Sequence, residues 1–154
     1  MSSINTKSVL RNGLIAGVVM NAIDIIANMT VADQRIVAHL DAINPILWRN
    51  MNAQGRLTQY ILIDFVFAIG LIWLYAAIRP RFGPGPATAV RAALYAWLMY
   101  NVTQLLFVMM GLFTFRYVAV NALVLLVNYL ATALVGARLY KEGAAAPSTF
   151  AASD

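Results

Sequence analysis

Cysteine is absent from the 154-residue chain, and histidine occurs once, at His39. The lack of cysteine excludes disulfides, thiolate metal sites and cysteine nucleophiles. One histidine cannot supply a bis-histidine haem site or the ligands of a catalytic zinc site. No Ser-His-Asp set is evident, and residues 83–86 alternate glycine with proline, which leaves too few N–H groups to hold a phosphate. We therefore expect neither enzyme activity nor a cofactor or metal.

Charged residues are also scarce, at 11% of the chain, whereas a soluble domain has about 25%. Apolar residues make up 62%, and the mean hydropathy is +0.73. This composition leaves too little polar surface to coat a soluble fold, so it predicts an integral membrane protein. The net charge of +5 does not indicate a nucleic-acid partner, because the Lys and Arg residues are dispersed at the ends of apolar runs. Membrane lipids are the expected surroundings.

Four apolar runs are long enough to cross a bilayer. They cover about residues 9–31, 57–78, 88–113 and 117–140. A helix of 23 residues extends about 34 Å, and the hydrocarbon core is about 30 Å thick. The sequence therefore predicts an all-α, integral membrane four-helix bundle, in one transmembrane domain over residues 1–142. Residues 1–8 are expected to form a short mobile tail, and residues 143–154 a disordered one.

Proline and glycine are concentrated in residues 78–86, which hold three of the five prolines. A proline ring removes a backbone donor and clashes with the preceding turn. We therefore expect this proline-rich segment to end span two and to form a stiff connection to span three.

Span one carries a GxxxG pair, Gly13 and Gly17, which lets another backbone approach closely. Contact with a neighbouring helix of the same chain is the favoured interpretation. A homo-oligomer, or a partner within a membrane complex, is the alternative use of this pair.

The connection at residues 32–56 is the most polar part of the chain. Apolar residues recur in it at helical spacing, and Pro45 interrupts the pattern before Trp48. The repeating residues are Ile36, Val37, Leu40 and Ile43. This pattern predicts an amphipathic helix that lies in the membrane interface between spans one and two, anchored by Trp48. His39 belongs to this connection and is expected at its surface.

The basic residues at the span ends predict the orientation. One side of the four spans receives Lys7, Arg11, Arg79, Arg81, Arg91, Arg138 and Lys141, and the other receives Arg35, Arg49, Arg56 and Arg116. Because cytoplasmic loops carry the excess of Lys and Arg, both termini and the proline-rich segment are expected in the cytoplasm. Arg79 and Arg81 are also candidates for contact with anionic lipid headgroups.

Polar side chains inside the spans are the candidate ligand-binding residues. They are Asn21, Asp24, Asn28, Asp64, Asn101, Gln104, Asn121 and Asn128. The three in span one fall within about 60° of one another on a helix with about 100° per residue. Each span places at least one of the eight five to nine residues from its outer end. A carboxylate at that depth costs roughly 2.5–3.5 kcal/mol, so Asp24 and Asp64 should face the bundle interior or a wet cavity.

Two interpretations of this cluster stay open. In the first, it forms an outward-opening pocket for a small polar ligand or a cation. In the second, the amides and protonated carboxyl groups are interhelical hydrogen bonds that hold the bundle together. The first predicts a non-enzymatic binding or accessory module, and the second a structural or assembly subunit of a membrane complex. A third class is a small oligomeric transporter or proton-coupled carrier.

Two short stretches resemble a family of small, uncharacterised bacterial four-span membrane proteins. They are residues 73–86, WLYAAIRPRFGPGP, and residues 16–21, AGVVMN. The resemblance covers about one fifth of the chain. It implies a bacterial inner-membrane location and a four-span fold, and it carries no activity, cofactor or catalytic residue with it.

Overall fold

The computed structural model describes residues 4–31, 34–51 and 53–142, apart from the side chains of Val31, Gln34 and Trp48. The predicted tail at residues 143–154 and the predicted Trp48 anchor lie outside this description. The helices in chain order are α1 (Thr6–Val31), α2 (Gln34–Ile43), α3 (Pro45–Met51), α4 (Arg56–Phe82), α5 (Pro86–Met109) and α6 (Phe115–Leu139).

Four of these helices, α1, α4, α5 and α6, are long and apolar enough to cross a membrane. They pack side by side, with α1 against α4 and α6, and α5 against α6 and, less extensively, α4. Helices α4 and α6 also touch across the bundle. The prediction of an all-α four-helix membrane bundle is confirmed.

Small residues let these helices approach. Six core alanines are 0% exposed: Ala16, Ala68, Ala89, Ala92, Ala93 and Ala133. Lipid tails are as apolar as leucine, so helices in a membrane associate through close packing rather than through the hydrophobic effect. Close backbone approach at these alanines is therefore what holds the bundle together.

The GxxxG pair of α1 packs against α4 of the same chain. A Cβ built on Gly13 would lie 2.7 Å from the Ile69 Cα atom, and one built on Gly17 would collide with the Phe65 ring. The contact with a neighbouring helix of the same chain is therefore confirmed. This face of α1 is covered by α4 and is not available to a second copy.

Helix α4 continues through Pro80 to Phe82. The proline-rich segment therefore ends span two as expected, but at Phe82 and not at residue 78, because Pro80 does not break the helix. A proline costs one ladder hydrogen bond and crowds the turn before it. Membrane helices tolerate this, because neighbouring groups can satisfy the freed carbonyl. The connection is consequently only three residues, 83–85, and α5 begins at Pro86, where a missing N–H loses no helical bond.

The three-residue connection is fixed by hydrogen bonds. The Thr88 hydroxyl donates to the Gly83 carbonyl at 2.7 Å, and the Gly85 N–H donates to the Tyr75 hydroxyl at 3.3 Å. Gly83 and Gly85 have φ of 81° and 123°, a conformation that favours glycine. These bonds agree with the predicted stiffness of this connection.

The N-terminal residues are more ordered than the sequence predicts. Helix α1 begins at Thr6, capped by Asn5, whose side chain accepts from the Ser8 N–H at 3.1 Å. The Asn5 N–H donates to the Tyr140 hydroxyl at 3.2 Å, and Ser8 accepts from the Lys141 N–H at 3.0 Å. The prediction of a mobile tail is wrong for residues 4–8, because these bonds join the start of α1 to the end of α6. We call this side of the bundle the terminal end and the opposite side the distal end.

The distal end carries the shorter helices. Ile36 and Leu40 on α2 are buried, at 8% and 2% exposure. His39 donates from Nε2 to the Gly111 carbonyl at 2.9 Å, which joins α2 to the turn between α5 and α6. Helices therefore form where the amphipathic pattern and Pro45 predict them, while their position in the membrane interface stays a prediction.

Candidate functional site

A cavity of about 640 Å³ lies between α1 and α4 in the distal half of the bundle. Both intramembrane aspartates, Asp24 and Asp64, line it, as do Asn21 and Asn28. The wall is completed by apolar side chains of the same two helices and by the connection from α3 to α4. We call this space the distal cavity. It collects four of the eight predicted ligand-binding residues.

The antiparallel register of α1 and α4 explains where the cavity forms. Gly13 meets Ile69, Gly17 meets Phe65, and the Asn21 amide reaches the Ile61 carbonyl at 3.4 Å. One turn further along the contacting faces of α1 and α4 are Ile25 and Leu57, which both line the distal cavity. The glycines let the backbones touch, whereas the larger side chains of Asn21 and Ile25 keep them apart. The cavity accordingly begins at Asn21 and Ile61, beyond the glycine contacts.

Asp24 is held in place by side chains from α6. Its Oδ1 accepts from Asn128 Nδ2 at 2.6 Å, and Asn128 also donates to the Met20 carbonyl at 3.2 Å. The Thr132 hydroxyl in turn donates to Asn128 Oδ1 at 3.1 Å. Asn128 and Thr132 are both 0% exposed. This chain of bonds fixes the Asp24 carboxyl at the inner wall of the cavity.

Asp64 has no such support. Among residues 4–31, 34–51 and 53–142, no side chain or backbone group donates a hydrogen bond to its carboxyl. Within the same ranges the one ion pair is that of Arg79 with Glu142, at 3.3 Å. Asp64 is half-buried, faces the distal cavity and is close enough to Asp24 for their charges to interact. Its carboxyl is therefore an acceptor that the described protein leaves unsatisfied.

The two amides on the cavity wall also present acceptors. Asn21 Nδ2 donates to the Gly17 carbonyl at 2.9 Å, and Asn28 Nδ2 donates to the Asp24 carbonyl at 2.8 Å. A backbone carbonyl can only accept, so the nitrogen of each amide must face it and the identity of the two amide atoms is fixed. Neither Oδ1 receives a hydrogen bond from a described residue, which leaves both oxygens as acceptors.

Arg56 lies at the start of α4 and is the cationic residue of the cavity wall. Its Nε donates to the Asn50 carbonyl at 3.0 Å and its Nη1 donates to Gln59 Oε1 at 2.8 Å. These bonds hold the guanidinium at the start of α4, two turns from Asp64. Arg56 forms no ion pair with Asp24 or Asp64 among the described side chains.

The other predicted residues lie elsewhere. Asn101, Gln104 and Asn121 belong to α5 and α6 and do not line the distal cavity. Asn101 Nδ2 donates to the Trp97 carbonyl of its own helix, at 2.8 Å. Asn128 stands behind Asp24 and supports it. The structure thus divides the eight residues into a cavity group, one supporting residue and three residues on the opposite helix pair.

The two arginines of the proline-rich segment also differ from each other. Arg79 is turned towards the protein, where it pairs with Glu142 and lies 5.5 Å above the centre of the Tyr140 ring. Arg81 is exposed. Of the two candidates for lipid headgroup contact, only Arg81 therefore presents its side chain to the surroundings.

Sequence reasoning missed most of the cavity wall. The missed residues are Ile25, Met29, Met51, Ala53, Gln54, Gly55, Arg56, Leu57, Tyr60 and Ile61. Tyr60 and Ile61 stand one turn before Asp64, and Ile25 and Met29 follow Asp24 and Asn28. Helical periodicity around the two aspartates was the signal that could have found them.

The described residues contain no group of three or more His, Cys, Asp or Glu side chains suited to a metal ion. Comparison with protein-family models, with curated proteins and with solved structures gave no match. The argument for function therefore rests on the geometry of the distal cavity.

Proposed function

We propose that this membrane protein is a non-enzymatic binding module that holds a small cationic ligand in the distal cavity. The observation that supports this proposal most directly concerns Asp64. Its carboxyl faces the cavity without a hydrogen-bond donor or an ion-pair partner among the described residues. An unpaired carboxylate is expensive inside a membrane. A bound cation would offset that cost, which is the physical basis of the proposal.

The alternative, in which the polar cluster forms interhelical hydrogen bonds that hold the bundle together, accounts for one aspartate only. Asp24 accepts a hydrogen bond from Asn128 on α6, which is what a purely structural role would require. Asp64 bonds to no neighbouring helix in the described part of the chain, so it contributes no hydrogen bond between helices there. The difference between the two carboxyls favours a binding site over a purely structural role.

The carrier alternative requires a path beyond the aspartates. Asn128 and Thr132 are 0% exposed. Asn128 donates to Asp24 and Thr132 donates to Asn128, so these two side chains fill the space behind the aspartate at the inner end of the cavity. A closed inner end favours a module that binds from one side. The absence of an activated nucleophile or base partner among the cavity residues named above supports a non-enzymatic role.

The surroundings proposed for the module follow from its charges and its sequence. Four spans with the basic excess at the terminal end favour a bacterial inner membrane, with both termini in the cytoplasm and the distal cavity on the outer side. The likeness of residues 73–86 to small bacterial four-span proteins supports the same location. Arg81 is the proposed contact for anionic lipid headgroups, and α2 and α3 the proposed interfacial segment.

The test is ligand-dependent thermal stability of the purified protein in lipid nanodiscs. Small inorganic and organic cations are added one at a time to wild type, Asp64→Asn and Asp41→Asn. A ligand at about one hundred times its Kd stabilises the folded state by about 2.7 kcal/mol. We expect at least one cation to raise the Tm of wild type and of Asp41→Asn, an exposed carboxylate outside the cavity, but not of Asp64→Asn.

Without ligand, Asp64→Asn should be as stable as wild type or more stable, because it removes an unpaired carboxylate from the membrane. A strong loss of stability in this variant, together with no response of wild type to any cation, would contradict the proposal. That result would indicate a structural role for Asp64.

A further inference from the structure

The distal cavity has four polar residues with free acceptors, beside Gln54, Arg56 and Tyr60, whose hydroxyl donates to the Met51 carbonyl at 3.2 Å. Asp64 offers both carboxyl oxygens, Asp24 offers the oxygen that Asn128 does not occupy, and Asn21 and Asn28 each offer an amide oxygen. The corresponding donors, the two amide nitrogens, are used by backbone carbonyls. A ligand complementary to this wall must carry several hydrogen-bond donors and a positive charge.

The rest of the wall is apolar. Side chains of Ile25, Met29, Met51, Leu57 and Ile61 line the distal cavity beside the acceptors. Methionine adapts its shape to irregular ligands, and the Tyr60 ring adds an aromatic face that attracts cations. The cavity, of about 640 Å³, is within the range of about 300–1,000 Å³ typical of sites for small organic molecules. A bare metal ion would leave this apolar wall unused.

Arg56 argues against a second cationic group on the ligand. Two of its donors are already bonded, to Asn50 and to Gln59. Its charge sits at the start of α4 and would repel a second cationic group placed there. The site is therefore suited to one cationic group near the aspartates and an apolar body elsewhere.

We propose that the ligand of the distal cavity is a primary alkylammonium, whose N–H donors meet Asp24, Asp64 and the two amide oxygens while its carbon chain lies on the apolar wall. This inference rests on the proposed function and names the chemical class of its ligand. It distinguishes an organic amine from an inorganic cation, and a monocation from a dication.

The experiment measures binding of a series of primary amines to the full chain in nanodiscs, from propylammonium to hexylammonium. Burial of one methylene strengthens binding about fourfold, so three added methylenes should give about 60-fold. Hexyltrimethylammonium has the charge and the chain but no N–H donor and should bind more weakly than hexylammonium. Hexanol, which lacks the charge, and hexane-1,6-diammonium, which adds a second positive charge, should also bind more weakly.

Asp64→Asn should weaken hexylammonium binding by about 30-fold or more, because it removes the charge partner. Asp41→Asn is the matched control for the charge change, and nanodiscs without protein measure partition of the amines into the lipid. Far-UV circular dichroism of each variant verifies that the helices are intact. If the Asp64 variant does not fold, the inference is tested by binding of the ligand series to wild type alone.

The outcomes separate the two claims. Asp64-dependent binding of Na⁺, K⁺ or Ca²⁺ with no binding of amines overturns the alkylammonium inference and leaves the proposed function standing. Tighter binding of hexane-1,6-diammonium or of hexyltrimethylammonium than of hexylammonium also overturns the inference. No Asp64-dependent binding by any cation overturns both.

Discussion

Replacing Gly13 with alanine is expected to destabilise the bundle by about 1–3 kcal/mol, the usual cost of overpacking a close contact. The added Cβ would lie 2.7 Å from the Ile69 Cα atom. A flexible side chain could move away, but a backbone atom cannot, so α1 and α4 must separate. Thermal or denaturant unfolding in nanodiscs measures the loss.

Gly70→Ala is the matched control. Gly70 lies on α4 one residue from Ile69, and nothing lies within 4 Å of the position its Cβ would occupy. Alanine is favoured over glycine in a helix by up to about 1 kcal/mol, so this variant should be neutral or slightly more stable. Equal stability of Gly13→Ala and Gly70→Ala would show that α1 and α4 do not pack through their backbones.

Asn128→Leu is expected to lower stability by about 1–3 kcal/mol, because it leaves the Asp24 carboxyl without its donor and removes the bond to the Met20 carbonyl. The bonds lost are those of 2.6 Å and 3.2 Å that join α6 to α1. Leucine has a similar volume, so the loss reflects hydrogen bonding and not a cavity. Unfolding of the variant in nanodiscs measures it.

Asn101→Leu is the comparison for this variant. Among the residues that the structure describes, Asn101 bonds only within α5, to the Trp97 carbonyl, and its buried Oδ1 has no partner. Its replacement should be neutral or stabilising, since an unsatisfied polar atom is removed.

Adding Asp24→Asn to Asn128→Leu should recover part of the loss, with a coupling of about 0.5–3 kcal/mol. Strictly additive effects would mean that Asp24 and Asn128 do not interact.

The fold was predictable where composition and periodicity determine it. Four long apolar runs and a proline after Ile43 locate the spans and the break between α2 and α3. Pro80 misled the prediction, because the rule that prolines end helices is weaker inside membranes. The order at Asn5 and Ser8 depends on contacts with Tyr140 and Lys141, which are distant in sequence and leave no local pattern.

The site was predictable in part for a related reason. Helical spacing places Asn21, Asp24 and Asn28 on one face of span one. Asp24 and Asp64 lie at a similar distance from the outer ends of their spans, which places them at a similar depth in the membrane. Depth does not say which helices are neighbours, however. Because α1 packs on α4 and α6 and not on α5, Asn101 and Gln104 stay away from the distal cavity. The neighbour order follows from the packing of residues such as Gly13 and Gly136, which a single sequence does not reveal.

The central claim is that the distal cavity is a cation-binding site open to water at the distal end. It can be tested by thiol labelling, because the chain contains no cysteine. Ile61→Cys places a thiol on the cavity wall, and Leu62→Cys places one at the same depth on the exposed face of α4. Each is treated in oriented vesicles with a membrane-impermeant trimethylammonium methanethiosulfonate reagent. Such reagents need a thiolate, and therefore water.

The account predicts that Ile61→Cys reacts from the side opposite the termini, that hexylammonium slows the reaction, and that Leu62→Cys in the hydrocarbon does not react. A cationic reagent should also react faster than an anionic one, since both aspartates face the cavity. An unreactive Ile61→Cys, or equal reaction of the two cysteines, would contradict the account.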